Sequence, residues 1–585
     1  MAMRGENLRF WSPVAVLLCF AAYSGIKLVR SHVNPEVSAP DYYFTRNIDG
    51  RRGTVYSAGG KNYPFVKSVP FWEYHLDPVA LTNSIVRRRG EPPRPKAAIV
   101  KTIADALGLD YRRLMRMSEN SRKRYQFLAL SSNPEAHRTL ADSRLVAGVS
   151  IEDRQVRQYL HGRRLSHVLG SVNADHVGSA GIEQRYNREL SGTPGVVRGM
   201  KDARGRELYD KRIVSVDPIP GADIYLTVDH NLQYEAETAL KWGIGEYGAA
   251  EGWCIVMDAR SAAILAMASM PDFEPLAFGH TPDDAKINRA VAFNYEPGSV
   301  MKVMTAAAAI DAGIVKPTTL YRTNRDDQRY YRLPGDGSHA WEPLMTVKDA
   351  IVKSSNIVIG KLSWDLGPQR LWTYLRRFGF GDRTGIELPG EQYGIMWHWG
   401  KWDKATWSRA GIGQGISVTA IQLISAYQAI ANDGLRMKPY IVERIVKPDG
   451  SETKHEPAVA GRVISAATAR AVREMMTGVA APGGTARRAA IKGFSIAGKT
   501  GTAQKSVGRT YAPGLYRATF CGIVPASSPR IVVLVTLDFD ERTRYHQGGN
   551  SAGPVFKRIT ESALRYLMIS PDRPEELEDV AEDWN

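Results

Sequence analysis

The chain has 585 residues, too many for one hydrophobic core, so two or three domains are expected. A hydrophobic fraction of 43% and a charged fraction of 24%, with no long low-complexity tract, exclude a chain disordered throughout. The formal net charge of +16 favours anionic surroundings such as a membrane surface or an anionic polymer. Nucleic acid is the weaker choice, because no zinc-finger spacing, RNA-binding aromatic signature or dense Lys/Arg block is present.

In chain order, residues 1–9 form a short tail. Residues 10–29, FWSPVAVLLCFAAYSGIKLV, carry one charge, and about 20 such residues span a bilayer as a helix. A cleaved signal peptide, with Ala22-Tyr23-Ser24 as its motif, is the alternative, but the apolar run continues past that point. A single-pass anchor is therefore expected, with residues 1–9 cytoplasmic and the bulk of the chain outside the cytoplasm. Arg4 and Arg9 precede the span, while Lys27 and Arg30 follow it, so flanking charge leaves the orientation open.

Residues 30–225 are basic, polar and broken by proline, as in EPPRPK, and form an extended module. Within them IVKTIADALGL has the spacing of an amphipathic helix, and residues 112–128 that of a basic one. The glycines of residues 167–195 predict turns and short strands. Glu183, in GIEQ, reads as a structural glutamate rather than a catalytic acid.

A second domain is expected over residues 226–570. It opens on a helix, HNLQYEAETALKWGIGEYG, and a hairpin, WCIVMDARSAAILAMAS, turning at 258–261. Helical runs follow at 300–313, 346–367, 419–434 and 467–480, and three strands close it at 494–504, 516–525 and 530–539. Hairpin, helices, then strands predict an α+β fold, an antiparallel sheet against helices assembled from both ends of the domain. Residues 571–585 are acidic and expected to be disordered. Of the three cysteines, Cys19 lies in the apolar span, and Cys254 and Cys521 read as buried free thiols. No Cys/His cluster implies a metal, and no cofactor is implied.

The spacing Ser-x-x-Lys occurs at Ser24–Lys27, Ser299–Lys302 and Ser451–Lys454, so alone it means little. The first lies in the apolar span and the third in a polar turn. The second, in YEPGSVMKVMT, stands at a helix entry, where free N–H groups gather and Lys302 lies one turn away. A serine needs a base to become a nucleophile, and a buried lysine favours its neutral form. A serine cap with a snorkelling lysine is the competing reading.

Two further motifs decide between these. Ser354-Ser355-Asn356 is the one Ser-x-Asn that follows Ser299, and Lys499-Thr500-Gly501, followed by Thr502, is the single Lys-Thr-Gly. The ordered set is the signature of penicillin-binding proteins and serine β-lactamases. GIGQG at 411–415 lacks the strand and lysine of a nucleotide loop and is placed as a turn near the active site.

With HVLG, GSAGIEQRYNREL and AMASMPDFEP before the motifs, and GFGDRTGIELPGE and GIGQGISVTAIQL between them, most of the chain resembles a class B penicillin-binding protein. Glu-Pro-Gly before the serine and GFGDRTGIELPGE resemble its division (septal) branch more than its elongation branch. The resemblance implies an anchored N-terminal pedestal and a penicilloyl-serine transferase domain with a five-stranded antiparallel sheet. It implies a peptidoglycan D,D-transpeptidase without cofactor, acting on D-Ala-D-Ala stem peptides and acylated by β-lactams. Ser299 would be the nucleophile and Lys302 its base. Ser354 would relay a proton, Asn356 would bind the substrate amide and help hold Lys302, and Lys499 would steer the carboxylate while lowering the pKa of Lys302. Thr500, Gly501 and Thr502 would bind substrate, with the N–H groups of Ser299 and Thr502 as oxyanion hole. A separate glycosyltransferase and division proteins are expected as partners. An elongation-type enzyme, a β-lactamase and a β-lactam sensor or scaffold without crosslinking activity are the alternatives.

Overall fold

The computed structural model describes residues 42–83, 95–120, 125–141, 148–201, 207–331, 333–336, 342–507, 510–541 and 546–578. The expected span at 10–29 lies outside them. Among the described residues no helix is long and apolar enough to cross a membrane.

The chain divides into two compact units. One, within residues 1–51 and 192–221, holds a three-stranded antiparallel sheet of Tyr43–Ile48, Gly195–Lys201 and Glu207–Val216. The other comprises residues 52–191 and 222–585.

In the larger unit, the long strand Pro64–Leu76 pairs with both Val149–Tyr159 and Gln126–Ser131. Its sheet continues through Val55–Tyr56 and Asp223–Leu226 to Val442–Val446, so the chain position expected as a domain boundary lies inside a shared sheet. Helix Lys96–Leu107 buries Ile99, Val100, Ile103 and Ala104 in a satellite core with Tyr74, Leu114 and Leu140, as its apolar spacing predicts. The basic helix expected over 112–128 is shorter. It runs Tyr111–Glu119, and Gln126–Leu128 belong to the strand Gln126–Ser131. Asn120 ends it with non-helical backbone at φ −82°, ψ 82°.

Helix α1 (His230–Tyr247) is capped by Asp229, whose carboxylate accepts the N–H groups of Asn231 and Leu232. It packs beside the hairpin strands β1 (Glu251–Asp258) and β2 (Ile264–Met270). Strands β3 (Ala497–Val507), β4 (Thr510–Val524) and β5 (Ile531–Phe539) complete a five-stranded antiparallel sheet in the order β2-β1-β5-β4-β3. The first strands and the last thus meet at β1–β5, as the sequence order predicts. Strand β5 is buried at every residue, because α4 (Ala420–Ala431) and α5 (Ala552–Tyr566) cover its sheet. Cys254 and Cys521 are buried free thiols.

The C-terminal tail is ordered further than expected. The carboxylate of Asp572 accepts the backbone N–H of Ser495 at 2.7 Å and the hydroxyl of Ser527 at 2.5 Å, and Glu575–Glu578 forms a helical turn. Residues 579–585 lie outside the described residues.

Candidate active site

The nucleophile candidate does not cap a helix. Gly298–Met301 is a 3₁₀ turn leading directly into α2 (Lys302–Asp311), and Ser299 sits inside it, half-buried, its carbonyl accepting the N–H of Lys302. The turn starts with Gly298 at φ +58°, a conformation that glycine adopts without penalty. Gly413 supports it from below. Its carbonyl accepts the Gly298 N–H at 3.1 Å, and a Cβ on Gly413 would lie 2.2 Å from the Gly298 carbonyl oxygen. The GIGQG segment is thus a turn beside this site.

The helical run expected over 346–367 is broken at the Ser-x-Asn motif. One helix covers Val347–Val352 and the next, α3 (Asn356–Leu366), starts four residues later with Ser355 as its N-cap. Ser354 takes the left-handed conformation, φ +62°. Such a residue costs on the order of 1–3 kcal/mol, and here the kink turns both polar atoms of Ser354 toward the lysines.

Lys302 is only 1% exposed, and its ammonium donates to the Ser354 carbonyl at 2.5 Å and to Ser354 Oγ at 3.1 Å. Lys499, fully buried on edge strand β3, donates to the same Oγ at 3.0 Å and to the Thr500 carbonyl at 3.1 Å. Two lysines fill both lone pairs of one hydroxyl, leaving its own proton to be given elsewhere. Burial pushes Lys302 from 10.5 down to about 7, against the pull of Asp336. Burial and the charge of Lys302 hold Lys499 well below its ordinary range as well. Desolvation of an ammonium among apolar side chains is the first cause at both lysines.

The expected hold of Asn356 on Lys302 is corrected. Its side-chain amide donates to the Gly335 carbonyl at 2.7 Å, and Lys302 is held by Ser354. Thr500 Oγ1 donates to Thr485 Oγ1 at 3.1 Å, and Thr502 Oγ1 accepts the Gly548 N–H at 3.2 Å. At Gly501 a Cβ would lie 3.1 Å from Val300 and 3.2 Å from the Pro297 carbonyl, so the missing side chain lets β3 close on the nucleophile's turn.

Asp336 is a site residue that the motifs do not announce. One oxygen accepts the Ser355 hydroxyl at 2.7 Å; the other accepts the N–H groups of Asn356 and, at 3.3 Å, Ile357. It therefore anchors the Ser-x-Asn turn at the N-terminus of α3 and places an anion near Lys302. Its sequence context, LPGDGS, predicts only a turn. Among the described residues no group of three or more His, Cys, Asp or Glu side chains could hold a metal ion.

The family model for the penicillin-binding protein transpeptidase domain matches residues 252–561, which include all three motifs. That for the penicillin-binding protein dimerisation domain matches residues 47–226. The chain belongs to the class B penicillin-binding proteins. It is 31% identical over 538 residues to the peptidoglycan D,D-transpeptidase FtsI of Escherichia coli, covering 90% of this chain and 85% of that one. It is 33% identical over 420 residues to a probable peptidoglycan D,D-transpeptidase PenA of Neisseria meningitidis, covering 72% and 70%. The crystal structure of penicillin-binding protein 3 from Mycobacterium tuberculosis, complexed with aztreonam, superimposes with a TM-score of 0.69 at 27% identity, covering 90% of this chain and 99% of that chain. Like other members, this penicillin-binding protein is a serine D-Ala-D-Ala transpeptidase of cell-wall synthesis that acts on peptidoglycan and binds β-lactams.

Proposed function

We propose that the protein crosslinks stem peptides during septal wall synthesis through an acyl-enzyme on Ser299. In the first step Ser299 Oγ bonds to the carbonyl carbon of the penultimate D-Ala and its proton passes to neutral Lys302. The peptide C–N bond then breaks, and the departing D-Ala takes a proton through Ser354. An amine of a neighbouring stem attacks the ester, forms the crosslink and frees Ser299. Lys499 and Thr500 receive the terminal carboxylate, Gly501 and Thr502 line the strand along which the peptide lies, and the N–H groups of Ser299 and Thr502 stabilise the oxyanion. Removing such a donor costs ~3 kcal/mol. Asn356 binds the substrate amide once it exchanges Gly335 for the peptide.

The observation that carries this reading is the hydroxyl of Ser354 held between two buried lysines, at 3.1 and 3.0 Å. A structural lysine has no reason to be buried without a carboxylate in hydrogen-bond reach. The septal role is supported by the Glu-Pro-Gly and GFGDRTGIELPGE segments, and an inner-membrane anchor at residues 10–29 by the apolar run there. A separate glycosyltransferase and division proteins would then act beside it. The test is labelling with a fluorescent penicillin. Wild type is expected to form a stable adduct and Ser299→Ala none; undiminished labelling of the variant would refute the assignment. Imaging a tagged protein in live cells checks the septal role, and a uniform lateral signal would favour elongation.

A further inference from the structure

Lys361, on α3, is as buried as Lys302, at 1% exposure, and no step above uses it. Its ammonium directs all three protons at one stretch of chain. They go to the Arg322 carbonyl at 3.0 Å, the Asn324 side-chain oxygen at 3.2 Å and the Asp327 carboxylate at 3.0 Å. The Tyr330 ring centre lies 5.0 Å from the same nitrogen. A buried lysine with a full set of partners fixes structure rather than moving protons.

The structure it fixes is a strap, residues 321–331 and 333–336, laid along α3 toward the N-terminus of that helix. Ile357, Gly360, Lys361, Trp364 and Asp365 recur at spacings of three and four, so they share one face of α3. At the far end Asp365 accepts the Tyr321 hydroxyl at 2.8 Å and pairs with Arg329 at 3.3 Å. Along the strap Tyr330 and Leu333 form a small core with Ile357, and Trp364 packs against it. A Cβ on Gly360 would lie 3.2 Å from Pro334 and 3.3 Å from Leu333, so the missing side chain lets the strap approach. At the near end come Gly335 and Asp336. The Gly335 carbonyl accepts the Asn356 amide at 2.7 Å, and the Asp336 carboxylate accepts the Ser355 hydroxyl and the N–H groups of Asn356 and Ile357. One helix face thus connects Lys361 to the carboxylate at the Ser-x-Asn turn.

We propose that Lys361 is a positioning residue for acylation: it pins the strap to α3 and so holds the Asp336 carboxylate at the Ser-x-Asn turn, beside the Lys302–Ser354 pair. It rests on the assignment of Ser299 as nucleophile and Lys302 as base above. Among the described residues, the charged groups that bear on Lys302 are Lys499 from β3 and Asp336 from the strap. Those around Lys361 are Asp327 and Arg329 on the strap and Asp365 on α3. Of the two that bear on Lys302, Asp336 alone depends on the strap for its place, and its charge favours the ammonium form of Lys302. With the strap unpinned, Asp336 leaves the turn for part of the time. Its pull then weakens, and Lys302 becomes neutral at a lower pH.

The experiment measures the rate constant for acylation of the full chain by a fluorescent penicillin between pH 6 and pH 9. The proteins are wild type, Lys361→Met, Asp327→Ala, Asp336→Asn and the double variant Lys361→Met/Asp336→Asn. The readout is the ratio of the rate at pH 6 to that at pH 9, which a general loss of activity leaves unchanged. Lys361→Met should raise this ratio about 2- to 5-fold. Asp327→Ala removes the strap's own carboxylate from a partly exposed position, and should move the ratio in the same direction. With Asp336→Asn already present, Lys361→Met should leave the ratio where it was, because the charge it positions is gone. A ratio that stays or falls in Lys361→Met, or that rises equally with Asp336 already replaced, overturns the proposal. Should Lys361→Met not fold, Asp327→Ala takes its place on the same terms. A wild-type rate that does not rise through about pH 7 would instead overturn Lys302 as the base, so the two failures are distinguishable.

Discussion

Two buried clusters of ionisable side chains lie in the larger unit, and they are built on opposite principles. In the first, the Glu183 carboxylate accepts Arg52 Nε–H at 2.6 Å and Arg157 Nε–H at 2.7 Å. Other donors reach the Asn187 amide oxygen, the Ser191 and Ser68 hydroxyls and the Gly53 carbonyl, while Arg157 Nη2 is buried without a partner among the described residues. All three charged residues are at most 3% exposed. In the second, Lys302 and Lys499 share one neutral hydroxyl, and the nearest anion, Asp336, is committed to other donors. The first cluster gives each guanidinium a carboxylate oxygen and so locks the chain in place, although two cations share one anion. The second leaves charge under-compensated, which costs stability but turns an ammonium into a base near neutral pH. A buried ionisable group thus reveals its role by its partners more than by its burial.

The contrast breaks most severely at Lys302. Lys302→Met removes the base while nearly conserving volume, so acylation by penicillin should fall by about 10²- to 10⁴-fold. Stability should move the other way. The folded-state value of about 7 lies below the ordinary 10.5, so wild type carries a penalty that is full below pH 7 and is relieved as pH rises toward 10.5. The variant should therefore melt higher than wild type, by more at pH 6 than at pH 9. A lower melting temperature at pH 6 would show that the lysine is structural after all.

Glu183→Ala should give the reverse. Two guanidiniums are left in the interior without their anion, a loss of about 3–5 kcal/mol. Chemical denaturation measures it, while the acylation rate per folded molecule stays at the wild-type value. A change of less than about 1 kcal/mol would mean that the carbonyls and hydroxyls around the arginines suffice on their own.

The sequence made the catalytic framework legible because motif order is a one-dimensional property: Ser299, Ser354 and Lys499 occur in that order, and the decoy that can start the same order, Ser24–Lys27, lies in the apolar span. Strands β1, β2 and β5 were legible as apolar runs, whereas β3, AGKTGTAQKSV, is mostly polar. What stayed hidden is whatever depends on geometry across the fold. Ser299 lies in a 3₁₀ turn rather than at a cap because Gly413, more than a hundred residues on, packs under Gly298. Ser354 breaks a run with helical spacing because a positive φ cannot be read from apolar periodicity. The Arg52–Glu183–Arg157 cluster joins three segments whose charged residues look, in the sequence, like surface. Asp336 sits among turn residues, and only the folded chain puts it at the start of α3.

Asp336 gives the smallest effect and the finest test of the comparison. Among the described residues it is the one carboxylate whose charge opposes the depression of Lys302. In Asp336→Asn the amide oxygen can still accept from the α3 N–H groups, so the Ser-x-Asn turn is kept while the anion is lost. Without that pull the ammonium form of Lys302 is less favoured, and its pKa moves below about 7. Acylation requires neutral Lys302, so the rate constant with penicillin rises with pH through about 7 in wild type, and the rise should shift to lower pH in the variant. At pH 6 the variant should acylate faster than wild type, and at pH 9, where Lys302 is neutral in both, the rates should converge. A profile that is uniformly lower without moving would mean that Asp336 only shapes the turn. A profile that moves places this carboxylate on the side of the chemistry, as the counterweight that keeps an otherwise uncompensated lysine pair close to physiological pH.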